Sequence, residues 1–133
     1  MKRLHLILGL CTIAAFIGTG VYLKLALPEL IERDHALRFT HRANHVYLLL
    51  AGLVNVVAGI YLAPHPKRWR RAMQSIGSGA LLAAPAVLFI AFLLEAPSVS
   101  AVRPFTSVGL LIAFAGTLAH LFGIRRRVQP GRP

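Results

Sequence analysis

The chain has 133 residues, 56% of them apolar and only four acidic, against 15 Lys and Arg, for a formal charge of +11. Apolar residues gathered into four long runs leave no room for a soluble domain with its own mixed core, and a single cysteine excludes an internal disulfide or a cysteine-only metal cluster. The cations sit at the ends of the runs, where they snorkel and meet anionic headgroups, so the charge reports threading through a bilayer and nucleic acid is not the expected partner.

About 20 apolar residues carry a helix across a hydrocarbon core. The first run, Leu4 to Leu27, is too long and too poor in cleavage-site residues for a signal peptide. On its helix His5, Gly9, Thr12, Phe16 and Thr19 share one face at 100° per residue, and Cys11 reads as an inert buried thiol. The first loop mixes Glu29, Glu32 and Asp34 with Arg33, Arg38 and Arg42, and reads as an ion-paired cap. The second run, Val46 to Ala63, carries Asn55 and a Gly52/Gly59 face. His65 stands between two prolines and is assigned no role, and Lys67-Arg68-Trp69-Arg70-Arg71 reads as a membrane-surface segment. The third run, Ile76 to Leu94, has small residues at Ser75, Gly79 and Ala83 and a mid-helix Pro85, which should bend it. The fourth, from Val102 or Phe105 to Ile124, places Thr106, Gly109, Ala113, Gly116 and His120 on one face.

Continuous runs in lipid predict helices, since every backbone amide must be paired within its own segment. The expectation is an all-α integral membrane four-helix up-and-down bundle, a single transmembrane domain over 1–133 with helices near 4–27, 43–63, 74–95 and 103–124. One side of that threading collects ten cations and no acid; the other has five cations and all four acids. The positive-inside rule then places both termini in the cytoplasm and the protein in the cytoplasmic (inner) membrane. Small residues at helical spacing predict close packing within the bundle or between copies.

Two histidine groups are the candidates for chemistry. His5 and His120 are matched in depth at the cytoplasmic ends of the first and fourth helices, each with a glycine one turn deeper, Gly9 and Gly116. Two imidazoles with bare backbone beside them are what a b-type haem needs between facing helices, with basic residues nearby for its propionates. His41 and His45 lie four apart on one helical face; with His35 and Glu95 they form a donor set suited to copper or zinc. The stretch from Arg38 through Arg42-Ala43-Asn44-His45 resembles the entrance to the second helix in four-helix glutathione-dependent membrane enzymes. Those enzymes carry a carboxylate within that helix, which Val46 to Ala63 lacks, so no site residue is transferred. Small multidrug transporters share the four-helix plan but need an acid in the first helix, which is absent here.

Three readings follow. The first is a haem-binding, electron-transfer or respiratory-complex subunit using His5 and His120. The second is an accessory or assembly protein with structural histidines, and the third a metal-binding protein using the outer group. In each the chain contacts the lipid bilayer and is expected to act as a homo-oligomer or as part of a larger membrane complex, not as an enzyme on its own.

Overall fold

The computed structural model describes residues 1–26, 28, 34–98 and 100–123 and contains four helices: α1 (Lys2–Ala26), α2 (His35–Tyr61), α3 (Arg68–Leu94) and α4 (Pro104–Gly123). All four are long and apolar enough to cross a membrane, the shortest span being 19 residues and the longest 27. Glu29, Glu32 and Arg33 of the first loop, and Arg125, Arg126, Arg127 and Arg132 of the tail, lie outside the described residues.

Two helices begin earlier than their apolar runs. Asp34 caps α2, its carboxylate accepting from the amides of Ala36 and Leu37 at 2.9 and 3.0 Å, so α2 starts at His35. The basic segment opens α3 at Arg68. Apolarity marks where lipid is; a helix continues past it wherever its backbone bonds are met. At 27 residues and 1.5 Å per residue, α2 and α3 run about 40 Å and project beyond the hydrocarbon.

The helices pair as two hairpins, α1 on α2 and α3 on α4, which meet through α2 and α3. Among the described residues, no Cα atom of α1 comes within 8 Å of α4. Each hairpin is drawn tight by two glycines. A Cβ at Gly9 would lie 2.8 Å from the Val56 amide and 2.9 Å from the Gly52 carbonyl; a Cβ at Gly77 would lie 2.9 Å from the Gly116 carbonyl. No side chain fits at either crossing, so backbone packs on backbone. Leu48, Ala51, Leu88 and Phe92 fill the space between the hairpins.

Three expectations are corrected. Ser75, Gly79 and Ala83 face away from the bundle, with nothing within 4 Å of a Cβ at Gly79; Gly77, two residues earlier, makes the contact instead. Cys11 is exposed on the outer surface, because α1 buries only the narrow face that carries His5, Gly9, Thr12 and Thr19. His65 is buried and organises the second loop: its amide donates to Gln74 Oε1, its Nδ1 accepts from the Lys67 amide, and its carbonyl accepts from Arg71.

Candidate functional site

The site begins with a missing hydrogen. Pro85 stands inside α3, which continues through it, and proline has no amide to give the carbonyl four residues earlier. That carbonyl belongs to Leu81. In lipid an unpaired carbonyl is costly and a neighbouring helix must meet it. Asn55 of α2 does so, its Nδ2 donating to Leu81 O at 2.8 Å and to Ala51 O at 3.0 Å.

With its amide nitrogen committed, Asn55 offers only Oδ1 to α1, where His5 Nδ1 lies 2.8 Å away. His5 is therefore the donor at Nδ1, and its other nitrogen, Nε2, carries the lone pair. The residue is fully buried, and among the described residues Nε2 has no hydrogen-bond partner. Across from it stands His120 of α4, the ring centroids 6.2 Å apart and the planes at 79°. His120 Nε2 in turn meets Ser78 Oγ of α3 at 3.1 Å. One polar layer thus draws on all four helices, with a single orphaned atom at its centre.

The glycines expected beside the two imidazoles have another task. Gly9 is closed against α2 and Gly116 against α3, where a Cβ would lie 2.9 Å from the Gly77 carbonyl. They set the hairpin crossings and leave no bare backbone for a macrocycle.

The opposite end of the bundle holds a second polar layer. Glu95, just past α3, accepts the amides of Phe105 and Thr106 at 2.6 and 2.9 Å and the Thr106 hydroxyl at 2.6 Å. A carboxylate there meets both the free amides and the dipole of α4, whose preceding residue, Arg103, has no acceptor side chain to cap it. Burial acts to raise the Glu95 carboxyl, but the Thr106 hydroxyl, the Thr106 and Phe105 amides and the charge of Arg103 outweigh it, and the net displacement is downward. Asn44 of α2 donates to Ala91 O at 3.2 Å and places its Oδ1 3.0 Å from the Thr106 hydroxyl, while Thr40 donates to Ala96 O at 2.9 Å.

The expected outer donor set does not converge. His35 is exposed and takes Arg38 Nη2 at 2.7 Å; His41 Nδ1 donates to Leu37 O at 3.0 Å; and His45 stacks on Phe16 at 4.0 Å with Nδ1 3.0 Å from Thr19 Oγ1. Glu95 is spent on α4. The i, i+4 spacing put His41 and His45 on one helix, but their rings turn to different neighbours, α3 and α1. Among the described residues no three His, Cys, Asp or Glu side chains gather as a group able to hold a metal ion.

Asn55 was visible in the sequence as a polar residue beside a glycine face, but its role was not. The signal that could have found it is the pair of Pro85 and a buried amide on a neighbouring helix. No family model matches this chain, and no curated protein or solved structure matches it either.

Proposed function

We propose that this membrane protein binds a b-type haem, which His5 of α1 and His120 of α4 would hold, and serves as a small electron-transfer subunit of a larger membrane complex. The observation that carries the reading is His5 Nε2, buried and without a hydrogen-bond partner among the described residues, on a ring that meets a second imidazole edge-on at 6.2 Å between centroids. Its other nitrogen is held by Asn55, as metal-ligating imidazoles are commonly held through their second ring nitrogen.

The number of ligands favours haem over a bare ion. A structural ion takes about four donors from protein, whereas a porphyrin brings four nitrogens and asks the protein for two. Bound there, iron supplies one-electron exchange; the protein fixes the imidazoles and excludes water. Gly9 and Gly116 have no part in this reading. The skew of cations supports a cytoplasmic-membrane location with both termini inside.

The test is a reduced-minus-oxidised visible spectrum of the detergent-purified protein, supplied with haem during expression. Split α and Soret bands are expected, and they should disappear in the His5→Ala, His120→Ala double variant. Bands that persist in that variant overturn the assignment. A colourless protein overturns it too, and leaves the accessory reading with structural histidines.

A further inference from the structure

A cavity of about 330 Å³ opens at the Glu95 end of the bundle, lined among others by Gly18 and Tyr22 of α1, His41 of α2, Phe92 and Leu93 of α3, and Pro97. The volume is that of a small-molecule pocket. Most of its wall is apolar; the polar exceptions are Thr19, Tyr22 and His41. The Thr19 hydroxyl is already engaged, donating to Phe16 O and lying 3.0 Å from His45 Nδ1.

His41 sets the chemistry. Its Nδ1 donates to Leu37 O, so Nε2 is an acceptor, and among the described residues no hydrogen bond is made to it. The ring stands edge-on to Phe92, with centroids 6.1 Å apart. An occupant that meets His41 therefore brings a hydrogen-bond donor, and the Tyr22 hydroxyl offers it a second polar contact beside an otherwise apolar wall. Phe92, Tyr22 and Pro97 offer flat faces, and Gly18 contributes bare backbone with nothing within 4 Å of a Cβ. The cavity reaches from Pro97, just past the end of α3, to Gly18, about two turns inside α1, so its occupant arrives from the lipid with its polar edge near the membrane surface.

We infer that this cavity binds a lipid-soluble aromatic alcohol of the benzoquinol type, its hydroxyl donating to His41 Nε2 and its ring lying against Phe92 and Pro97. The oxidised quinone has no proton to donate to His41, so the bond at His41 favours the reduced form. Nothing in this depends on haem at the other end.

Equilibrium dialysis of the purified full chain against a short-chain benzoquinol, its quinone and its dimethyl ether tests the inference. The quinol is expected to bind about tenfold more tightly than the other two, one unmet buried hydrogen bond amounting to about that factor. His41→Phe should erase the preference. Gly18→Leu projects into open space, so it should leave the melting temperature unchanged while abolishing binding. Equal binding of all three probes overturns the inference, as do undiminished binding to a folded Gly18→Leu variant and displacement of the quinol by an equimolar phospholipid.

Discussion

The two polar layers at opposite ends of the bundle are built from the same parts and finish differently. In each, an asparagine of α2 reaches a carbonyl of α3, Asn55 to Leu81 and Asn44 to Ala91, and in each a side chain of α4 joins in. At the Glu95 end the carboxylate accepts three hydrogen bonds, and Thr40, Asn44 and Thr106 are all engaged. Arg103 is the exception there, with Nε and Nη2 buried and unbonded while its charge still acts on Glu95. At the His5 end one neutral acceptor is held in place by everything around it and given nothing to accept. The bonds gathered around Glu95 read as scaffold; a lone pair kept dry and oriented, as at His5, reads as a place for a ligand.

The comparison can be broken most forcefully at Asn55. Asn55→Leu strands the Leu81 carbonyl and His5 Nδ1 together, and should cost about 3 kcal/mol in reversible unfolding in mixed micelles. Adding Pro85→Ala returns an amide to Leu81 and should recover about 1 kcal/mol of that loss, a coupling that a double-mutant cycle measures directly. No recovery would mean that Asn55 does not act through that carbonyl. On the other layer Glu95→Ala should cost about 2 kcal/mol by leaving the first amides of α4 unmet, with Glu95→Gln losing less because one oxygen remains.

Glu95 also sharpens the contrast through pH. Its carboxyl titrates lower when folded than when unfolded, so its contribution is complete above the ordinary carboxylate range and is lost as pH falls through the lowered folded value. Melting curves taken from neutral to acid pH should show that loss, and Glu95→Gln should flatten it. The smallest effect belongs to Ser78→Ala, which frees His120 Nε2 at about 0.6 kcal/mol, the usual worth of a side-chain hydrogen bond between membrane helices. In the proposed haem-bound form that variant should keep its spectrum.

The four spans were legible because lipid demands long apolar runs, and the shared depth of His5 and His120 was legible from charge-defined topology. The buried face of α1 followed from spacing alone. What escaped was whatever needs two helices at once. Glu95 is distant in sequence from the amides it caps, and no local pattern announces a carboxylate borrowed from a preceding helix. Pro85 reads locally as a bend, and only its pairing with Asn55 shows where the freed carbonyl went. Gly9 and Gly116 were seen, but glycine beside a cofactor and glycine beside another backbone look identical in one dimension.

One consequence of the α2–α3 seam concerns alignment. Asn44 and Asn55 stand about three turns apart on α2, and so do Ala91 and Leu81 on the antiparallel α3. Apolar surfaces in lipid slide past one another at little cost, since Leu meets lipid as readily as it meets Leu. Here a slip of one turn, about 5.4 Å, would break both asparagine bonds together and strand the Leu81 carbonyl. The two amides work as paired pegs that, with the Thr40 bond to Ala96 O, fix a single register between the hairpins, and in doing so bring His5 level with His120.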